Sequence, residues 1–349
     1  MGMDCNKLVV KVLLMLKLFM ILFSKAKSDS GGYGDESGGG AVIIFGFGVY
    51  KDACPEAEDI IFSLVQRAVM EDSRMAASLL RLHFHDCFVN GCDGSVLLDD
   101  TTNNFVGEKT AAPNRNSLRG FEVIDAIKSE LESFCPGTVS CADILAVAAR
   151  DSVVLSGGPN WEVQMGRKDS LSASKAAANN NIPGPNSTVP LLLSKFQNVG
   201  LDLKDMVALS GAHTMGKARC SSFSARLQDT RDPNNPLGSP AFIQSLQQLC
   251  SGFGNGGSSS SSVLAQLDLV TPATFDNQYY VNLISGEGLL PSDQVLVTGD
   301  DRTRQLVETY AQDTFAFFDD FQNSMLRMGA LGVKTGSGGE IRKNCRTIN

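Results

Sequence analysis

Histidine is nearly missing from this chain: its 349 residues contain three, His83, His85 and His213. Histidine is the usual side chain for moving protons near neutral pH and for ligating transition metals, so such chemistry has few places to reside. No two cysteines have the two-residue separation of a zinc knuckle, which argues against a zinc-ribbon type of site. No apolar run approaches the ~20 residues needed to span a bilayer. Basic residues are also in deficit, 30 against 38 acidic, for a net charge of −8. Without residues 1–28 the balance is 25 against 37. An acidic body argues against nucleic acid or an anionic membrane as the main partner. Strand-like alternation is scarce and no internal repeat is visible.

The N-terminus is what a secretory signal requires. Lys7 and Lys11 flank an apolar run that continues through Leu18-Phe19-Met20-Ile21-Leu22-Phe23, and Ala26-Lys27-Ser28 offers small residues for cleavage. Residues 1–28 are therefore assigned to a signal peptide, with a retained anchor as the alternative. Residues 29–40 form a Gly/Ser-rich stretch, and residues 41–349 form the domain. Nine cysteines are present, of which Cys5 leaves with the signal. The remaining eight suit four disulfides in an oxidising compartment. Spacing alone favours only the short bracket of Cys87 with Cys92. Asn186-Ser187-Thr188 is a glycosylation acceptor, in keeping with export.

Helical periodicity dominates beyond Pro55. Ile60, Ile61, Leu64, Val65, Ala68 and Val69 recur at three and four residues, as do Phe121, Ile124, Ile127 and Leu131. Ile144, Val147 and Ala148 open a third stripe that stops at Gly157-Gly158. Leu191, Leu192 and Phe196, then Leu203, Met206 and Val207, make two more. Loops are marked by Ile182-Pro183-Gly184-Pro185, by Asp232 to Pro236 and by Gly252 to Ser262. The expectation is an all-α protein with long, disulfide-pinned loops.

In Arg81-Leu82-His83-Phe84-His85-Asp86-Cys87, helical spacing puts Arg81 and His85 on one face and turns His83 away. Arginine does not deprotonate, so the pair cannot act as acid and base on each other. They can serve one centre together: His85 moves a proton between two oxygens while Arg81 opposes developing negative charge. That combination suits cleavage of a peroxide O–O bond at a metal, although a bare Arg-x-x-x-His more often marks an ordinary helix. His213, in Leu209-Ser210-Gly211-Ala212-His213-Thr214, sits among small and apolar residues where a flat macrocycle can approach. Asp86-Cys87-Phe88-Val89-Asn90-Gly91-Cys92-Asp93-Gly94-Ser95 carries oxygen donors around a glycine turn and can supply calcium ligands, or turns and caps alone.

These segments, with Val139-Ser140-Cys141-Ala142-Asp143 and Phe275-Asp276-Asn277-Gln278-Tyr279-Tyr280, resemble the secretory plant haem peroxidases of the horseradish type in letters, order and separation. The resemblance runs from about Phe47 to Asn349. It implies a two-lobed, all-α fold with haem b between the lobes, two calcium ions and one-electron oxidation of phenolic donors by hydrogen peroxide. By that resemblance Arg81, His85 and Asn114 are catalytic, with Asn114 orienting the imidazole and the carboxylate of Glu108 linked to Asn114. His213 is the iron ligand, Asp293 its hydrogen-bonded carboxylate, and Phe84 lies beside the haem where the intracellular ascorbate and cytochrome c peroxidases have tryptophan. Asp86, Val89, Gly91, Asp93 and Ser95 correspond to one calcium site. Thr214, Asp268, Thr271, Thr274 and Asp276 correspond to the other, and Pro183 to the substrate entrance. The implied disulfides are Cys54–Cys135, Cys87–Cys92, Cys141–Cys345 and Cys220–Cys250. A monomer in the cell wall or apoplast is implied, active in hydrogen peroxide catabolism, the response to oxidative stress and cell-wall phenolic metabolism.

Ala112 and Ser222 depart from the aromatic residues some relatives carry at the haem edge, which bears on donor preference. Two other classes compete. One is a calcium-binding structural protein that has lost catalysis, against which the complete set Arg81, His85, Asn114, His213 and Asp293 speaks. The other is a zinc hydrolase built on His83-x-His85, which lacks a convincing third ligand.

Overall fold

The computed structural model describes residues 44–102, 105–228, 240–250 and 263–349. The assignments to residues 1–28 and 29–40, and the loops at 232–236 and 252–262, lie outside the described residues. Helices dominate, as the periodicities imply. Helix α1 spans Ala57–Glu71, α2 Arg74–Asn90, α3 Phe121–Phe134 and α4 Cys141–Leu155. Ile61 and Val65 turn inward from α1, and Ile124, Ile127 and Leu131 from α3, matching the stripes read from the sequence. Helix α4 is buried almost all round, so its apolar residues form a run rather than a stripe. It begins where the Ser140 hydroxyl accepts the Asp143 amide, an N-cap, and ends before Gly157, whose φ is 94°.

Helices α1 and α2 both pack along α4, and α1 also along α3. The short α5 (Lys175–Asn181) leans on α2. A second group comprises α6 (Val189–Asn198), α7 (Leu203–Ser210), α8 (Ser224–Gln228) and α9 (Pro240–Leu249), then α10 (Gln278–Ile284), α11 (Pro291–Thr298), α12 (Asp301–Gln312) and α13 (Thr314–Gly329). Here α7 lies against α13, and α12 against α10 and α11. The last four helices were not read from the sequence. Neither was a two-stranded antiparallel ribbon, β1 (Lys217–Arg219) with β2 (Leu264–Gln266). Cys220, Phe223, Leu246, Cys250 and Ala265 form a small separate core beside this ribbon.

All four implied disulfides are present: Cys54–Cys135, Cys87–Cys92, Cys141–Cys345 and Cys220–Cys250. Asp143 explains the Val-Ser-Cys-Ala-Asp segment physically. Its fully buried carboxylate accepts from the Tyr50 hydroxyl at 2.6 Å, the Gly166 amide at 2.7 Å and the Arg167 guanidinium at 2.8 Å. Arg167 in turn donates to the Gly329 carbonyl at the end of α13. A buried ion pair of this kind is costly to break, because removing one partner strands the other charge.

The loop after α2 runs against the segment that follows α13. The Cys92 amide donates to the Leu331 carbonyl at 2.9 Å, and Gly91 has φ 106°. A Cβ on Gly91 would lie 2.6 Å from Gly332 Cα and 2.7 Å from the Leu331 oxygen, which are backbone atoms. Gly91→Ala is therefore expected to destabilise the protein by about 2 kcal/mol or more, combining left-handed strain with the clash. Chemical denaturation checks this, and an unchanged midpoint would show that the two backbones do not need to meet.

Candidate active site

Helix α2 carries Arg81 and His85 on one face, and both reach the segment 108–118. His85 Nδ1 lies 2.6 Å from Asn114 Oδ1. Asn114 Nδ2 donates to the main-chain carbonyl of Glu108 at 2.9 Å. A carbonyl can only accept, so the amide nitrogen must face Glu108 and the amide oxygen must face the imidazole. His85 Nδ1 therefore carries the proton and Nε2 is left with its lone pair. The link to Glu108 differs from the expected one: the main chain supplies it. The Glu108 carboxylate turns away, accepts from the Ser174 amide at 3.0 Å, and is pushed up to about 7 by burial.

Burial holds His85 well below the ordinary histidine range, and the nearby Arg81 charge adds to this against the Asn114 bond. The imidazole is thus neutral at physiological pH. Arg81 donates to the Ser117 carbonyl at 3.0 Å and the Pro113 carbonyl at 3.1 Å. Burial and Arg219 bring it down only to about 10, so it stays charged. Phe84 is half-buried, edge-on to His85 and tilted against Phe88 with ring centres 4.2 Å apart.

His213 lies in a turn of 3₁₀ helix, Gly211–Thr214, that continues from α7. Gly211 is required there, since a Cβ would meet Phe317 and the Tyr280 hydroxyl at 2.5 Å. His213 Nδ1 is 2.8 Å from Asp293 Oδ1, and Asp293 also accepts from the Tyr279 hydroxyl at 3.2 Å and the Leu290 amide at 3.3 Å. A carboxylate fixes the Nδ1 proton as the Glu108–Asn114 chain does for His85. Burial works to lower His213, but Asp293 outweighs it and the net shift is upward. Although surrounded by protein, the His213 side chain keeps 39% of its surface open. The charge of Arg81 also acts on His213, so the two groups are within electrostatic reach of each other. Two histidines with committed Nδ1 atoms and available Nε2 atoms thus come from α2 and from the turn after α7.

Arg219 joins the site although nothing in the sequence singles it out. It lies on β1 and donates to the Asn116 carbonyl, joining the ribbon to the segment that supports His85. Its one local cue is the Lys-Ala-Arg-Cys run, which does not reveal a partner 103 residues away. Neither Arg81 nor Arg219 makes a salt bridge among the described residues. Arg219, whose charge acts on Arg81 and which has no carboxylate partner among the described residues, suits a macrocycle that carries carboxylates.

The oxygen-rich loop is also drawn together. Asp86, Asp93 and Ser95 are fully buried, and Asp86 accepts the Gly94 amide at 2.9 Å. Burial, then the charge of Asp93, pushes the Asp86 carboxyl well up. Ser95 Oγ and Glu108 Oε2 are buried with no hydrogen-bond partner. The Val89 carbonyl accepts from Asn181 at 3.1 Å, and Gly91 makes the turn. On the other side Thr214 and Thr271 both donate to Asp276, at 3.1 and 3.2 Å, and the Thr271 amide meets Asp268 at 3.1 Å. Thr274 is exposed and joins this cluster only through its amide, bonded to the Thr271 carbonyl at 3.0 Å. Pro183 is partly buried in a turn closed by the Ser187 amide on the Gly184 carbonyl, and Asn186 is exposed beside it.

His83 goes elsewhere. It is buried, with Nδ1 3.6 Å from Cys87 Sγ. His83, Cys87 and Cys92 place their donor atoms within 4.8 Å of one another, but both sulfurs are spent in a disulfide, so no thiolate is available for zinc.

Comparison with known proteins decides between the remaining classes. The peroxidase family model matches residues 61–313. The chain belongs to the peroxidase family. It is 64% identical over 330 residues to Peroxidase 40 of Arabidopsis thaliana, covering 94% of this chain and 92% of that one. It is 54% identical over 300 residues to Peroxidase 4 of Vitis vinifera, covering 86% and 90%. Against Peroxidase 49 of Arabidopsis thaliana the identity is 51% over 317 residues, covering 90% and 93%. The peroxidase is thus an oxidoreductase that consumes hydrogen peroxide, of the plant type, and the family implies a haem cofactor. No helix among its described residues is long and apolar enough to cross a membrane.

Burial, then the Arg167 charge, pushes His83 down to about 3. An unfolded chain protonates this histidine below about pH 6.5, whereas the folded peroxidase does not until about 3. Stability is therefore lost as pH falls through that window, by about 1.4 kcal/mol per pH unit from this one group. Glu108 at about 7 and Asp151 at about 6 act in the opposite sense. His83→Leu should accordingly lower the slope of unfolding free energy against pH between pH 4 and 6 by close to one proton. Parallel wild-type and variant curves would contradict the assignment.

Proposed function

We propose that the peroxidase reduces hydrogen peroxide with His85 as the proton carrier, Arg81 as the charge stabiliser and His213 as the ligand of haem b, and that it takes its electrons from phenolic donors. The observation that carries this reading is the Asn114–Glu108 carbonyl chain, which leaves a neutral, lone-pair Nε2 on a buried imidazole. Such a group takes the proton from one peroxide oxygen and returns it to the other, which leaves as water. Arg81, charged and without a carboxylate partner, opposes the negative charge that develops as the two oxygens separate. Asn114 holds the ring in place throughout. Asp293 draws on the Nδ1 proton of His213, making its Nε2 a stronger donor. Haem b, when bound, supplies an iron that takes up the oxidising equivalents of peroxide and passes them to donors one electron at a time.

Two calcium ions fit the donor sets. Buried Asp86 and Asp93, the orphaned Ser95 hydroxyl and the turn carbonyls of Val89 and Gly91 would hold one. Thr214, Asp268, Thr271, Thr274 and Asp276 would hold the other. Pro183 would border the donor entrance, with a glycan on neighbouring Asn186. Residues 1–28 would direct the chain to the extracellular space, where it would act as a monomer on cell-wall phenolics.

Stopped-flow mixing of the haem-loaded enzyme with peroxide tests the reading, following the first change in the haem spectrum. His85→Leu should slow that step at least ~100-fold, the loss of a positioned acid–base group. His83→Leu, whose ring faces Cys87 and Arg167, should lose far less. Equal slowing in both variants, or a larger effect of His83, would overturn it.

A further inference from the structure

The segment after α13 places a lysine against the acidic loop. Leu331 holds the Cys92 amide, Gly332 backs onto Gly91, and the Lys334 carbonyl accepts the Lys168 amide at 2.9 Å. From there Lys334 Nζ reaches to 3.0 Å of Asp93 Oδ2. Asp93 is fully buried, whereas the Lys334 side chain is 28% exposed. The contact is an ion pair without hydrogen-bond alignment: Oδ2 has no hydrogen-bond partner, while Oδ1 accepts the Ser95 amide at 3.1 Å. The other cation at this loop, Arg342, is committed to the carbonyls of Gly94 and Cys345 at 2.8 to 3.0 Å. Among the described residues, Lys334 is therefore the one cation that pairs with a carboxylate of this loop and also reaches solvent.

We propose that Lys334 is an intramolecular counter-cation that competes with calcium for Asp93. Two buried carboxylates, Asp86 and Asp93, repel each other when no metal is present, and the ammonium offsets that repulsion. The same ammonium opposes a divalent ion at the same carboxylates. Lys334 thus stabilises the calcium-free loop and weakens calcium binding, which makes occupancy sensitive to the calcium concentration outside the cell. The inference rests on the reading of this loop as a calcium site.

The test compares the haem-loaded wild type with Lys334→Met and Lys334→Arg after calcium is removed by a chelator. Calcium is then titrated calorimetrically, and thermal unfolding is recorded with and without it. Lys334→Met should bind one ion at least roughly tenfold more tightly, the factor that removing a unit charge beside a divalent ion gives even at the dielectric constant of water. Its calcium-free Tm should fall below that of the wild type, while Lys334→Arg should follow the wild type in both measurements. A wild type that takes up no calcium would overturn the site itself. A wild type that binds calcium, with affinity and calcium-free Tm unchanged in Lys334→Met, would overturn the lysine's role alone.

Discussion

The chemistry of this peroxidase depends on hydrogen-bond polarity at two imidazoles. A histidine ring can present either nitrogen, and only a partner that cannot donate settles which one keeps the lone pair. For His85 that partner is an amide whose direction is imposed from behind by the Glu108 carbonyl. For His213 it is the Asp293 carboxylate. The two solutions differ in charge. The neutral amide leaves burial in control, so His85 stays an uncharged base, whereas Asp293 raises His213 despite burial. One side is thereby suited to carrying protons and the other to donating electron density.

The surrounding fold keeps these partners in register. Arg81 and His85 sit one helical turn apart on α2, and both are met by the single segment 108–118. Just beyond His85, α2 runs into the Cys87–Cys92 bracket and the buried acids of the loop. Arg342 ties the carbonyl of Gly94 in that loop to the C-terminal strap. The Asp143–Arg167 pair anchors the start of α4 to the end of α13. A displacement of the loop would be felt at His85, because the two share a helix with no break between them.

Local patterns were legible and distant ones were not. The stripes of α1 and α3 and the Gly157 stop follow from near neighbours, so the sequence exposes them. Four-residue spacing correctly set Arg81 with His85 and sent His83 to the other side, where it meets Cys87. The disulfide pairings came from family resemblance, since eight cysteines have no spacing rule that selects among partners as far apart as Cys141 and Cys345. Apolar stripes at three- and four-residue spacing also run through α12 (Val307, Tyr310) and α13 (Phe317, Phe321, Met325, Met328), whereas α10 and α11 are seven and eight residues long, too short to show a period. Which atom of Glu108 meets Asn114 depends on a turn geometry that residue identity does not encode. Lys334 and Arg219 act through partners 241 and 103 residues away, and isolated basic residues carry no sign of that.

Neutron diffraction on deuterated crystals of the resting enzyme would test the central claim most directly, since it locates the deuterons on the rings. The account predicts density on Nδ1 of both His85 and His213, none on Nε2 of either, and the ND₂ group of Asn114 directed at the Glu108 carbonyl. A deuteron on His85 Nε2, or an Asn114 amide turned so that its nitrogen faces the imidazole, would contradict it.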